Sequence, residues 1–240
     1  MSKYNTTSVH EINKHQYNSP IIFAGFVGPG LVGTLTVHHM IKNLKMKEVA
    51  FMKSPNMPPV TVFMQGRLRH PFRFYTNEEG NICAIICEIT LPKEGLFSMT
   101  EAILNWAEEK NSNEIIILDG VTSDKEHDKQ TFCAAESDMC RIMEDKNISM
   151  IPQGFITGVT GSLLNECLMR PIRGVTLLVK VKDKTNPLAA ATLIRSINKV
   201  YGTNIDTEEL EKENARLGKE YKEMSEEYQK DRSANSGMYM

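Results

Sequence analysis

One glycine pattern in the sequence is typical of phosphate binding. Gly28-Pro29-Gly30-Leu31-Val32-Gly33 matches G-x-G-x-x-G and lies between a predicted strand and a predicted helix, where backbone amides and the helix dipole attract anions. A dinucleotide site of this type carries an acidic residue about 20 residues further on, at the end of the second strand. Phe51-Met52-Lys53-Ser54 contains none, and Pro29 has no amide hydrogen. We interpret this glycine loop (residues 28–33) as a tight turn, with an anion site as the alternative.

A second glycine-rich run covers residues 154–161 and precedes a predicted helix over residues 162–169. It lacks the Lys-Ser or Lys-Thr ending of a phosphate-binding P-loop. The run therefore predicts close packing of a helix against a strand.

Five side chains near predicted strand ends are candidate acid or base groups for hydrolysis: Glu88, Asp119, Asp124, His127 and Asp128. Their spacing does not define a site, because residues 122–130 are also typical of a solvated loop. The sequence contains no Gly-x-Ser-x-Gly elbow, no His-Glu-x-x-His pair and no Asp-rich calcium loop. It therefore predicts no catalytic constellation.

The histidines and cysteines do not predict a metal site or a nucleophile. His38 and His39 are adjacent on a predicted helix, about 100° apart, and are poorly placed to share a metal ion. The five cysteines include no C-x-x-C pair, which argues against structural zinc and a disulfide framework and favours a reducing cytoplasm. Cys83 and Cys87 share a strand face with Ile85, as core residues do. We expect no metal and no cofactor.

Composition excludes several classes of protein. The chain has 240 residues, 41% of them hydrophobic, and a net charge of −2 from 28 basic and 30 acidic residues. These values exclude a disordered chain and lack the basic excess of a nucleic-acid binder. No charge falls between Lys14 and Lys42, but Gly28-Pro29-Gly30 interrupts this stretch, which predicts a strand, a turn and a helix instead of a membrane span. The polar residues 1–7 lack the apolar core of a signal peptide.

The order of the apolar runs predicts a three-layer α/β/α fold with a mixed sheet. Residues 20–24, 31–44 and 48–52 form a predicted βαβ unit, residues 60–89 an antiparallel meander with a turn at Glu79-Gly80-Asn81, and residues 1–19 a lead-in segment. Ser98-Met99-Thr100-Glu101 has the spacing of a capping box. The remaining predicted strands cover 114–118, 148–151 and 174–181, with a turn at 119–120, and the remaining helices cover 98–109, 131–145, 162–169 and 187–201.

After a globular domain at 1–205, residues 206–232 predict a helical extension. Two series of residues recur every seventh position, as in the d and a positions of a short heptad pattern. A helix of this length reaches about 40 Å at ~1.5 Å per residue, and it either self-associates or packs on its own domain. The two series are Leu210, Leu217 and Met224, and Asn214, Tyr221 and Tyr228.

Residues 233–240 form a predicted flexible tail. Its first five residues are small and polar, and its last three are Met238-Tyr239-Met240. Exposed apolar side chains at the end of a polar linker indicate either a frayed terminus or a docking peptide.

The motifs, taken in order, resemble the proteasome assembly chaperone family in its archaeal form, over residues 18–215. The resemblance implies an α/β/α fold similar to nucleoside phosphorylases, used for protein binding and not for catalysis. The matching segments are residues 21–33, Leu118-Asp119-Gly120, Gly158-Val159-Thr160-Gly161-Ser162-Leu163-Leu164, Asn186-Pro187-Leu188-Ala189-Ala190-Ala191 and Asn204-Ile205-Asp206.

Met238-Tyr239-Met240 is similar to the hydrophobic-Tyr-any ending by which proteasome activators and some assembly factors dock between α-subunits of the core particle. The resemblance implies that Met238 fills an apolar site, that Tyr239 packs its ring and offers its hydroxyl, and that the Met240 carboxylate meets a lysine. It implies a homo-oligomeric, ATP-independent cytoplasmic factor with no nucleic-acid or membrane partner. The alternative is a small-molecule enzyme of phosphorylase-like fold, with the glycine loop as an anion site and Glu88 or Asp119 as the acid-base group.

Overall fold

The computed structural model describes residues 6–12, 14–64, 66–124, 130–182 and 185–212. Within these residues the chain forms eleven strands and six helices. The strands are β1 (Ser8–Glu11), β2 (Ile21–Gly25), β3 (Lys47–Lys53), β4 (Val62–Met64), β5 (Arg67–Arg69), β6 (Phe72–Thr76), β7 (Ile82–Cys87), β8 (Glu114–Thr122), β9 (Thr131–Ala135), β10 (Ser149–Met150) and β11 (Arg173–Val181). The helices are α1 (Val32–Asn43), α2 (Leu96–Glu109), α3 (Ser137–Asp145), α4 (Gly158–Cys167), α5 (Pro187–Tyr201) and α6 (Glu208–Lys212).

Nine of the strands form one mixed sheet in the order β1-β3-β6-β7-β2-β8-β11-β9-β10. Its centre is parallel, because β7, β2, β8 and β11 pair in that sense, and β3, β6 and β7 form an antiparallel meander. β4 and β5 form a separate two-stranded sheet. The carboxyl ends of the four parallel strands therefore lie along one edge of the sheet.

Helices cover both faces of the sheet, which confirms the predicted three-layer fold. Successive strand residues point to opposite faces, so Ile22 packs in one core with Ile103 of α2 and Leu163 of α4, whereas Phe23 packs in the other core with α1 and α5. Strands β2 and β8, at the centre of the sheet, are buried on both faces along most of their length. This burial explains their continuous apolar sequences.

The predicted βαβ unit is present, but β3 does not neighbour β2. β7 and β6 lie between them, because the meander returns toward the centre of the sheet. The turn in the meander contains Gly80 at φ 67°, a left-handed conformation that glycine adopts without strain. Residues 14–42 form β2, a turn and α1 as predicted. No helix in the described part of the chain has the length and apolar character needed to cross a bilayer.

Helix α5 begins and ends as the sequence predicts. The Asn186 side chain accepts a hydrogen bond from the Ala189 amide at 3.0 Å, Pro187 occupies the first turn, and Gly202 at φ 67° closes the helix. These are the usual start and stop signals of a helix.

Several sequence-based boundaries were wrong. Residues 131–135 form β9 and not the start of a helix, because their backbone pairs with the edge of β11 in an antiparallel register. β8 continues through Asp119-Gly120 to Thr122, where a turn was predicted, because β11 pairs with it along its whole length. α4 begins at Gly158, within the second glycine run. β1 lies in the predicted lead-in segment.

The predicted capping box at Ser98 does not form. α2 begins two residues earlier, at Leu96, after a short 3-10 turn. Ser98 Oγ instead donates a hydrogen bond to the Gly95 carbonyl at 3.1 Å, so this side chain already lies inside the first helical turn.

Candidate functional site

The glycine loop connects β2 to α1 at the carboxyl edge of the sheet. Residues 29–31 form a 3-10 turn, with Gly30 at φ 66° and Leu31 at φ 52°. The Leu31 amide donates to the Gly28 carbonyl at 3.0 Å, and the Gly30 carbonyl accepts from the Asn186 amide at 2.9 Å. The Val32 amide donates to the Pro29 carbonyl. These groups are bonded within the protein, as expected for a tight turn, and are not presented to an anion.

Gly33, the last residue of this loop, and Gly25, at the end of β2, allow α1 to approach the sheet. A Cβ atom at Gly33 would overlap the Leu118 carbonyl of β8, and one at Gly25 would overlap the Gly33 carbonyl. Both obstacles are backbone atoms of the sheet or of the first helical turn, so neither moves easily. The glycine pattern therefore has a packing explanation that requires no ligand.

Asp119 is the candidate carboxylate that lies at the glycine loop. Its Oδ2 accepts a hydrogen bond from Thr160 Oγ1 at 2.7 Å, and its Oδ1 accepts from the Gly120 amide at 2.8 Å. A Cβ atom at Gly28 would overlap Oδ1. Burial raises the pKa of Asp119, and the two hydrogen bonds partly oppose that shift. Asp119 thus joins β8 to the start of α4 beside the loop, which is a structural use of this carboxylate.

Glu88, the other acid-base candidate, is ion-paired inside the domain. Its Oε2 lies 2.7 Å from Arg73 Nη1, and both side chains are 1% exposed. Arg73 Nε donates to Tyr75 Oη at 2.7 Å, and Nη1 donates to the His70 carbonyl at 2.6 Å. Burial alone lowers the pKa of Arg73, but Glu88 and Tyr75 outweigh it and raise that pKa above its ordinary value. This is a buried charge pair that sequence reasoning missed.

Among the residues that the structure describes, the candidate acid-base side chains are not joined into one constellation. No hydrogen bond between described residues links Glu88 to Asp119. Asp124 is exposed beyond the end of β8, and His127 and Asp128 lie outside the described residues.

The two adjacent histidines have separate structural environments. Burial, followed by the charge of Arg73, lowers the pKa of His38 to about 4, so this ring is neutral at pH 7. His39 is 2% exposed, and its Nε2 lies 2.5 Å from the Asp206 carbonyl oxygen. His39 therefore fixes the segment that leads to α6. Cys83 and Cys87 are fully buried in the core with Ile85, as predicted.

The described start of the C-terminal extension is anchored on α1 and α5. Leu210 is completely buried in the core between these helices and the sheet. Lys42 forms an ion pair with Glu209, and Arg195 forms one with Glu211. Residues 208–212 are therefore held on the domain, and Leu210 packs on its own domain.

The other residues predicted for self-association or docking fall within residues 213–240, which the structure does not describe. They are Asn214, Leu217, Tyr221, Met224, Tyr228, Met238, Tyr239 and Met240.

Comparison with known proteins gives a family and a shared architecture. The model of the PAC2 family matches residues 22–225. A crystal structure of a protein with unknown function from Thermoplasma acidophilum is 30% identical, and the match covers 92% of each chain with a TM-score of 0.86.

Two proteins of Pyrococcus furiosus have similar structures. PbaA, described as an archaeal homolog of proteasome-assembly chaperone, is 27% identical, with 93% of this chain and 99% of that chain covered and a TM-score of 0.81. PbaB, described as an archaeal proteasome activator, is 22% identical, with 92% of this chain and 97% of that chain covered and a TM-score of 0.77. The likeness to PbaB shows a common fold.

Proposed function

This chain belongs to the PAC2 family, and from that premise we propose that it is a proteasome assembly chaperone-like factor, which docks on the α-ring of the core particle through Met238-Tyr239-Met240 and needs no ATP. The family match over residues 22–225 carries the proposal. The description of PbaA as a homolog of proteasome-assembly chaperone supports it. The last three residues of the sequence supply the means of docking.

Each of the three residues has a physical role in such a contact. Met238 fills an apolar site, and the ring of Tyr239 buries a large area at the cost of few rotatable bonds. The Met240 carboxylate forms a charge-assisted hydrogen bond with a lysine in the α-ring pocket. The anchored start of the extension, with Leu210 in the core, supports the proposal because it gives the segment a fixed point of departure.

Self-association strengthens binding by the tail. One segment binds weakly because it must first be ordered, whereas several segments on one homo-oligomer raise the effective concentration at a ring of pockets. We therefore propose that the chain is a homo-oligomer in the cytoplasm, with Leu217, Asn214, Tyr221, Met224 and Tyr228 as candidate contacts in the extension.

The geometry of the glycine loop favours this role over the small-molecule enzyme. The Leu31 and Val32 amides are bonded to loop carbonyls, Asp119 is held by Thr160 and Gly120, and Glu88 is held by Arg73. An anion site with an acid-base carboxylate would need these groups to face a substrate.

An assembly assay tests the proposal. Purified α- and β-subunits of the same organism's proteasome are mixed with the intact chain, and ring and core-particle formation is followed on native gels with and without ATP. We expect faster assembly in both conditions, and Tyr239→Ala to reduce the effect about tenfold or more, because aromatic anchors commonly contribute about 2 kcal/mol. Tyr239→Phe, which keeps the ring, is the matched control. If the intact chain leaves assembly unchanged, the assembly role is wrong.

A further inference from the structure

A cleft away from the glycine loop collects three cations around a small cavity. It lies between one face of α5, the turn that joins α3 to β10 and the start of β9, and its volume is about 240 Å³. Arg195 and Lys199 come from α5, and Lys146 comes from the turn. The described residues that line the cleft include no aspartate or glutamate. A cleft lined by charge of one sign attracts ions of the opposite sign, so these residues indicate an anion site.

The three cations of the cleft do not stabilise one another. Arg195 and Lys199 are four residues apart on one helix, where like charges repel. Within the described part of the chain, neither Lys146 nor Lys199 forms an ion pair. Arg195 Nη2 pairs with Glu211 of α6, but a guanidinium has five N–H donors, so this pair leaves others available. The three cations, less the Glu211 carboxylate, leave a net charge of +2.

The turn that carries Lys146 is fixed by its backbone. The Lys146 and Ile148 amides both donate to the Met143 carbonyl, at 3.1 Å and 2.9 Å. The Asn147 amide donates to the Glu144 carbonyl at 2.8 Å, and Asn147 has φ 54°, a left-handed conformation that asparagine tolerates. Ile148 is buried in the core beneath the turn. The backbone of Lys146 is therefore held opposite α5 before any ligand binds.

A buried hydroxyl that lines the cleft has a hydrogen to donate. Thr131 is 5% exposed, and its Oγ1 accepts a hydrogen bond from Ser196 Oγ at 2.7 Å. The hydrogen of the Thr131 hydroxyl then has no acceptor among the described residues. A buried donor without an acceptor costs free energy, and an anion in the cleft would supply that acceptor. This hydroxyl is evidence for a ligand that is independent of the charges.

We propose that this cleft binds a phosphate group, either as the free ion or as the phosphate ester of a small molecule. A phosphate group carries a charge of about −1.5 to −2 near pH 7 and has three strong acceptor oxygens, which matches a net charge of +2 and a set of donors. A single carboxylate would neutralise only half of that charge.

The size of the cleft and the types of its cations also fit a phosphate. Its volume of about 240 Å³ is below the ~300–1,000 Å³ of sites for drug-sized ligands, so the ligand is small. An arginine can donate to two phosphate oxygens at once, and lysines add point charges. No residue of the glycine loop lines the cleft. This site goes beyond the proposed function, which requires no small ligand.

Isothermal titration of the full-length chain with inorganic phosphate and with ribose 5-phosphate tests the proposal, in a phosphate-free buffer at constant ionic strength. K146Q/K199Q removes two of the three cations and should weaken binding about tenfold or more. K47Q/K93Q removes the same charge from exposed lysines outside the cleft and should bind as the unmodified chain does. All four lysines are exposed, so circular dichroism should show that both variants are folded. A tetraglutamate peptide, which offers carboxylates alone, should bind about tenfold more weakly than phosphate or worse.

Saturable binding of one phosphate group per chain, weakened in K146Q/K199Q and kept in K47Q/K93Q, supports the proposal. Tighter binding of ribose 5-phosphate then assigns the cleft to a phosphate ester, and tighter binding of inorganic phosphate assigns it to the free ion. The proposal is overturned if neither compound binds saturably, if the two double variants bind equally, or if tetraglutamate binds as tightly as phosphate. Because these titrations contain no proteasome, their failure leaves the tail-docking proposal standing.

Discussion

Replacing Glu88 with alanine is expected to lower the free energy of unfolding by about 4 kcal/mol. The Arg73 guanidinium is 1% exposed, and Glu88 is the carboxylate that neutralises it, at 2.7 Å. Without that partner a full charge remains buried, with Tyr75 and the His70 carbonyl as its acceptors among the described residues. Urea unfolding followed by circular dichroism measures the loss.

Two controls separate the buried charge from a general effect of losing an ion pair. The double variant Arg73→Met with Glu88→Leu removes both charges and should recover most of the loss, because apolar replacement of a buried pair is often neutral. Glu208→Ala breaks the exposed pair with Lys212 and should have no measurable effect. A loss below about 1 kcal/mol for Glu88→Ala would contradict the account of this pair.

Gly33→Ala is expected to destabilise the domain by about 3 kcal/mol. The added Cβ atom would overlap the carbonyl oxygen of Leu118 in the central strand β8, so α1 must move away from the sheet. The higher helix propensity of alanine, about 1 kcal/mol over glycine, offsets only part of this cost. Thermal and urea unfolding both measure the change.

Gly202→Ala is the matched control for Gly33→Ala. Gly202 has φ 67° and open space around its Cβ position, so this change introduces backbone strain without overlap and should cost about 1 kcal/mol. Equal losses for the two variants would show that close approach of α1 to the sheet is not what the glycine pattern provides.

The layers of the fold could be predicted from local patterns. Buried parallel strands such as β2 and β11 are continuous apolar runs, and Asn186, Pro187 and Gly202 mark the ends of α5. β1 could not be found in this way, because an edge strand with half-exposed, mostly polar residues has no strong periodicity. The sequence predicts a helix where β9 lies, because a short apolar run is compatible with both the two-residue period of a strand and the 3.6-residue period of a helix.

The contacts of the candidate residues could not be predicted from the sequence. Asp119 was a candidate base, but its partner Thr160 is 41 residues away and meets it only when α4 packs on the sheet. Glu88 is also a candidate, and its partner Arg73 lies in β6, a strand of the predicted meander. A charged residue among the apolar residues of a strand is the sequence signal for such a buried ion pair, since a buried arginine requires an acidic partner.

Leu210 shows a different limit of pattern analysis. Its heptad spacing is compatible with both self-association and packing on the domain. The structure buries Leu210 completely among residues of α1 and α5, a contact that depends on where residues 202–207 place α6. The role of the remaining heptad positions stays a prediction.

The measurement that tests the central claim most directly is surface plasmon resonance on immobilised proteasome core particle and isolated α-ring. The intact chain is compared with a version that lacks Met238-Tyr239-Met240 and is otherwise unchanged. We predict saturable binding of the intact chain to both surfaces, and at least a tenfold loss without the three residues, since they hold the aromatic anchor and the terminal carboxylate. Equal binding by the two versions, or no binding by the intact chain, would contradict docking through the C-terminal tail.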